Sequence, residues 1–136
     1  MNPIPKISES ELEIMKLLWK SSPLSSNDII SLLDKKMNWS DQTIKTFINR
    51  LLKKQVITFE KSGKNYLYSP SISYDAYLKI ENSSFLQKIY DGALSMLFSK
   101  FLEEENLSTK EIEDLQKILE EKKEDLLSLK EKEKDL

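Results

Sequence analysis

At 136 residues, with 32% of them charged and a net charge of −2, the chain has room for one ordinary domain or for a small domain plus an oligomerisation segment. It holds no cysteine and no histidine, which excludes disulfides, thiolate zinc sites, thiol redox sensing and every histidine-based catalytic arrangement. Its two glycines build no phosphate cradle, and its carboxylates fall in solvated-looking helical runs, so neither an enzyme nor a metal or cofactor is expected.

The opening MNPIPKISES lacks the apolar core of a secretory signal. No later run approaches the roughly 18 apolar residues of a membrane span. The chain therefore reads as cytoplasmic. Ser8 and Glu11 have the spacing of a capping box. They open a helix with Leu12, Met15, Leu18 and Trp19 on one stripe, flanked by Ile14 and Leu17. Pro23 breaks the chain, and Ser25 or Ser26 caps a short second helix carrying Ile29, Ile30, Leu32 and Leu33.

The third helix is the most informative. Ser40 caps it, and Asp41 sets a carboxylate in the first turn, where it complements the helix dipole. At about 100° per residue, Ile44, Phe47, Ile48, Leu51 and Leu52 gather on one side. Gln42, Lys45, Thr46, Asn49, Arg50 and Lys53 gather on the other. Amides, hydroxyls and cations are the groups that hydrogen-bond base edges and phosphates. Residues 56–60 and 65–69 then read as two strands, rich in β-branched and aromatic residues around a Ser62-Gly63 turn. Lys61 and Lys64 bracket the hairpin tip.

Helix, helix, helix, hairpin is the order of a winged helix-turn-helix. The charge agrees. Residues 1–70 hold eleven Lys and Arg against seven Asp and Glu, whereas residues 71–136 hold ten against sixteen. Within residues 40–64 there are six cations and two anions, so the local positive surface that a duplex needs lies on the third helix and hairpin.

The rear half reads as helical. Tyr77, Leu78, Phe85, Leu86, Ile89 and Tyr90 mark one helix, Asp91-Gly92 interrupts it, and residues 93–102 form a strongly apolar short one. Ser108 and Glu111 form a second capping box. Ile112, Leu115, Leu119, Lys122, Leu126 and Leu129 follow in alternating steps of three and four, a heptad seam with one polar position. Beyond Leu129 only Leu136 continues the seam, and the charged end is expected to fray. So thin a helical region buries too little apolar surface alone, and two copies packed together would supply the rest. The competing arrangement folds these helices back onto the front domain as one globule.

Taken together these residues resemble the BlaI/MecI family of penicillinase and methicillin-resistance repressors. The motifs are ISESELEIMKLLW, SDQTIKTFINRLLKK, NYLYSP, and FLQKIYDGALSMLF followed by LSTKEIEDLQKIL, which together span residues 7–120. The resemblance implies an antibiotic-resistance regulator: a homodimeric repressor with one winged helix on each half of a palindromic operator, held together by its C-terminal helices. In the family's signalling branch, a membrane-bound β-lactam sensor with a metalloprotease domain triggers cleavage in the dimerisation region, directly or indirectly, and the operator is released. Two departures stand out. The family's cleaved Asn-Phe bond is matched here by Lys100 and Phe101, and the cysteine-rich tail of the copper-responsive relatives has no counterpart.

The expected fold is mainly α with a small β-hairpin wing: a winged helix-turn-helix over residues 1–71 and a helical dimerisation region over residues 72–136. Phosphate contacts are expected from Lys45, Arg50, Lys53, Lys54, Lys61 and Lys64, and base reading from Gln42, Thr43, Lys45, Thr46 and Asn49. Dimerisation is expected to use Phe85, Ile89, Leu94, Leu97, Phe98, Phe101, Ile112, Leu115 and Leu119. The alternative is a winged-helix module that binds proteins rather than DNA. A third reading keeps DNA binding but makes the chain an activator, or a sensor holding a small ligand among Tyr74, Tyr77, Phe85 and Tyr90.

Overall fold

The computed structural model describes residues 4–34, 36–104 and 106–134. The chain divides into two compact units, the first ending at Phe85 and the second beginning at Leu86. The first contains α1 (Glu9–Ser21), β1 (Leu24–Ser25), α2 (Ser26–Asp34), α3 (Asp41–Lys53), β2 (Ile57–Ser62), β3 (Asn65–Pro70) and most of α4 (Tyr74–Tyr90). The second contains the end of α4, α5 (Leu94–Glu104) and α6 (Thr109–Lys134).

Local chemistry sets the helix starts. The Ser8 N–H donates to Glu11 Oε1 at 2.8 Å and the Glu11 N–H donates to Ser8 Oγ at 3.1 Å, closing the capping box of α1. Ser25, not Ser26, caps α2 through the same reciprocal pair with Asp28, at 3.0 and 3.1 Å. Ser40 Oγ accepts from the Thr43 N–H at 3.1 Å and caps α3. At its other end α3 closes in a Schellman turn. Gln55 takes φ +62°, its N–H donates to the Leu52 carbonyl at 3.0 Å, and the Val56 N–H donates to the Leu51 carbonyl at 3.3 Å. Val56 thus belongs to the helix exit, and the strand expected to begin there begins at Ile57.

The sheet has three antiparallel strands in the order β1-β3-β2. The hairpin register pairs Phe59 with Tyr68 and Lys61 with Tyr66, with Gly63 at φ +63° in the turn. The two-residue β1 pairs Leu24 with Tyr68 and has no signal in the sequence. It carries no alternating pattern of its own.

The core of the first unit is aliphatic. Ile14, Met15, Leu18, Ile29, Leu33, Ile44, Ile48 and Leu51 are fully buried, with Val56, Ile57, Tyr68 and Tyr77 around them. Each fully buried aliphatic side chain contributes about 1.5–3 kcal/mol. Tyr77 reaches this core from α4, so the first unit extends past residue 71. Its ring packs 5.1 Å from that of Trp19, and Trp19 Nε1 donates to the Ile72 carbonyl at 2.9 Å.

In the second unit, Asp91 (φ +51°) and Gly92 (φ +85°) turn the chain between α4 and α5. Ser108 and Glu111 form the capping box of α6, with the Ser108 N–H donating to Glu111 Oε1 at 3.2 Å and the Glu111 N–H donating to Ser108 Oγ at 3.1 Å. α6 continues to Lys134, past the point where fraying was expected; Asp135 and Leu136 lie outside the described residues. Good helix formers fill its last turns, and Lys132 and Lys134 complement the dipole. None of the described residues from 86 onward is buried. No helix of the described residues is long and apolar enough to cross a membrane.

Candidate nucleic-acid interface

α3 is pinned by one face and open on the other. Ile44, Ile48 and Leu51 are buried, while Gln42, Lys45, Asn49, Arg50 and Lys53 are exposed and Thr43 and Thr46 half-buried. The polar arc expected from the periodicity is therefore brought together on one surface. Its hydroxyls are already engaged. Thr46 Oγ1 donates to the Gln42 carbonyl at 2.9 Å, and Thr43 Oγ1 lies 2.9 Å from Ser40 Oγ. Each hydroxyl oxygen keeps lone pairs that can still accept a hydrogen bond, and each methyl group can meet a thymine methyl.

The cationic side chains differ in what holds them. The Arg50 guanidinium sits 5.9 Å from the centroid of the Phe47 ring, and Phe47 makes an edge contact with Trp39 at 5.2 Å. The planar fork is thereby steadied while remaining exposed. Lys45 and Asn49 line a shallow cleft with Ser26, Ile48 and Tyr68, at the junction of α2, α3 and β3. Lys61 on β2 and Lys64 in the hairpin turn are both exposed at the end of the wing.

Lys54 departs from the expected role. Its ammonium donates to Glu11 Oε1 at 2.6 Å and to the Lys6 carbonyl at 2.7 Å, and its side chain is only 29% exposed. Glu11 is 1% exposed. Burial pushes the Glu11 carboxyl up. The hydrogen bonds from Lys54 and from the Ser8 N–H and hydroxyl, with the nearby positive charge, outweigh that and hold it below the usual glutamate value. Lys54 is thus committed to fastening the end of α3 to the start of α1. The sequence identified Glu11 as a capping residue but carried no sign of this second bond, which joins positions 43 residues apart.

Tyr74 and Tyr77 stack against Trp19 at 5.0 and 5.1 Å, which ties α4 to α1. Burial pushes the phenol of Tyr77 up, with Glu81 adding to the effect, and that of Tyr68 up, with Tyr66 adding to it. Among the described residues no cluster of acidic side chains is placed to hold a metal ion.

The residues expected to dimerise all carry apolar surface open to solvent. Phe85, Ile89, Leu94, Phe98, Phe101, Ile112 and Leu119 are exposed, and Leu97 and Leu115 are half-buried. Lys100 and Phe101 lie inside α5, where Lys100 Nζ is 3.4 Å from Glu103 Oε2.

A family model described as Penicillinase repressor matches residues 7–121. The chain is 42% identical over 123 residues to the penicillinase repressor of Bacillus licheniformis, covering 90% of this chain and 96% of that one. It is 37% identical over 118 residues to the methicillin resistance regulatory protein MecI of Staphylococcus aureus, covering 86% and 95%. Its fold is similar, at a TM-score of 0.50 and 42% identity, to the solution structure of Bacillus licheniformis BlaI, monomeric form, in complex with the blaP half-operator; 57% of this chain and 94% of that chain are covered.

Proposed function

Since this chain belongs to the penicillinase repressor family, we propose that it is a cytoplasmic transcriptional repressor that binds a palindromic DNA operator as a homodimer. The observation that carries the reading is the open arc of Gln42, Lys45, Asn49, Arg50 and Lys53 on a helix whose opposite face is locked into the core. That combination fixes the arc rigidly while leaving its polar atoms available, which is what reading base edges requires.

Two energies work together. Lys45, Arg50, Lys53, Lys61 and Lys64 supply sequence-independent attraction to phosphates, and their number sets the salt dependence. Gln42, Thr43, Lys45, Thr46 and Asn49 supply discrimination, each good bidentate contact being worth about 1–3 kcal/mol. Lys54 is left out of the first set because Glu11 holds its ammonium.

Dimerisation falls to the apolar surface of the second unit. Linking two half-site affinities through a dimer raises the effective concentration of the second site, so weakening the dimer loses repression without touching a DNA contact. A membrane sensor protease, acting directly or through another step, is the proposed source of that weakening. The Lys100–Phe101 bond lies within a helix, so proteolysis there requires α5 to open locally first.

The test compares duplex DNA from upstream of the chain's own gene with a random-sequence duplex across a salt series. A repressor prefers the upstream duplex by about 10³-fold or more. Asn49→Ala is expected to cut that preference about ten-fold while leaving random binding much less affected. Lys64→Ala lowers affinity for both duplexes and flattens the salt slope by about one. No retention on any duplex would favour the protein-binding alternative and overturn this function.

A further inference from the structure

We propose that the wing carries an aromatic contact surface, Phe59 and Tyr66, that packs against the deoxyribose edges of a duplex beside α3. The inference rests on the DNA-binding function proposed above and adds to it a contact that neutralises no phosphate.

The hairpin has two chemically different faces. Directly opposed residues of an antiparallel pair share a face, and successive residues alternate. The register therefore sets Ile57, Phe59, Lys61, Tyr66, Tyr68 and Pro70 on one side. Thr58, Glu60, Ser62, Asn65, Leu67 and Ser69 fall on the other. The hairpin's one carboxylate, Glu60, is thus on the second face, and Lys61 is on the aromatic one.

Along the aromatic face burial changes abruptly. Ile57 and Tyr68 are 2% and 9% exposed and belong to the core, whereas Phe59 and Tyr66 are 51% and 47% exposed. The outer rings touch edge to face at 4.8 Å, and Phe59 lies 6.4 Å from Tyr68. Packing within the hairpin fixes these rings but leaves about half of each in water. Two adjacent rings left half in solvent at the edge of the core offer apolar area that a partner can cover.

Position and charge choose the occupant. Tyr68, at the root of this face, lines the same cleft as Lys45 and Asn49. The aromatic surface therefore runs on from the proposed base-reading residues toward the wing tip, where Lys61 and Lys64 are exposed. Within the hairpin, a partner that touches this face meets Lys61 and the two rings, while Glu60 lies on the other side. A duplex fits: phosphates suit the lysines, and the C–H surface of the sugars between them suits the rings.

The experiment replaces both rings, Phe59→Ala with Tyr66→Ala, in the full-length chain and measures affinity for a random-sequence duplex across a salt series. The expected result is a loss of about ten-fold on random and upstream duplexes alike, with the salt slope unchanged because no counterion release is removed. Hydroxyl-radical footprints, which report access to deoxyribose hydrogens, should lose protection at the edge of the site. Unchanged affinity, or a loss accompanied by a slope change of about one, overturns the proposal.

Thermal melts check that the variant folds. Should it not fold, Phe59→Glu is compared with Thr58→Glu, one on each face. A large loss from the first and little from the second supports the assignment, and equal effects overturn it. The repressor function fails separately, if the unmodified chain shows no preference for the upstream duplex. The wing contact is read on random DNA, where that preference plays no part.

Discussion

The two units of this chain solve the burial problem in opposite ways. In the first, eight large aliphatic side chains are sealed from water, and every helix before the wing directs its apolar stripe into them. In the second, α5 and α6 carry as clear a set of apolar positions, yet none of the described residues is buried. Leu94, Phe98, Phe101, Ile112 and Leu119 stay between 39% and 60% exposed. A helix with an apolar stripe is only half of a packing unit. The contrast teaches that the front of the molecule is self-sufficient, while the rear carries a surface whose apolar area is a reason to associate.

The sharpest way to break this comparison is to separate the units. A fragment ending at Phe85 should keep its cooperative melt and run as a monomer in analytical ultracentrifugation. Its affinity for a full operator should fall by about 10²-fold or more as the tethering of half-sites is lost. An unchanged affinity would show that the rear surface contributes nothing to operator binding.

A middle-sized effect tests what makes the front unit self-sufficient. Lys54→Met leaves the Glu11 carboxylate buried without its cation, and the chain is expected to lose about 2–4 kcal/mol in a urea melt. Adding Glu11→Gln to that variant should recover part of the loss by removing the stranded charge. The pH dependence follows from the same pair. The Glu11 carboxyl is held below its ordinary value in the fold, so its contribution is complete above that ordinary value and disappears as pH falls through the lowered one. Melting temperatures should therefore drop on acidification more steeply for the unmodified chain than for Glu11→Gln.

The smallest expected change refines the exit of α3. Gln55 occupies the left-handed region at φ +62°, a conformation that favours glycine. Gln55→Gly is expected to raise stability by up to about 1 kcal/mol, read by the same melts, without altering DNA affinity.

Much of the fold is legible in the residues because the signals are local. Three serines mark the starts of α1, α3 and α6, and Asp91-Gly92 marks the break between α4 and α5. The split of α3 into Ile44, Ile48 and Leu51 against Lys45, Asn49 and Arg50 needs only the helical period. Less legible was the placing of Lys54, which by its type and position belongs among the phosphate contacts and by its surroundings does not. Leu24 and Ser25 are too short to read as a strand until Tyr68 and Leu67 lie beside them. Phe59 and Tyr66 read as ordinary strand residues, since alternation gives their face but not whether the core reaches far enough to cover it.

The order of helices, their caps, the polar arc of α3 and the concentration of positive charge over residues 40–64 were determined by the sequence alone, because each depends on neighbours within a turn or a strand. The tertiary structure decided which charges are spent and which remain. It brought Lys54 to Glu11 across 43 positions and Trp19 to the Ile72 carbonyl across 53, and it ended the core at Tyr68 with two aromatic rings outside. Contacts of that sequence separation form only when the whole chain has closed around its core, so no local pattern encodes them.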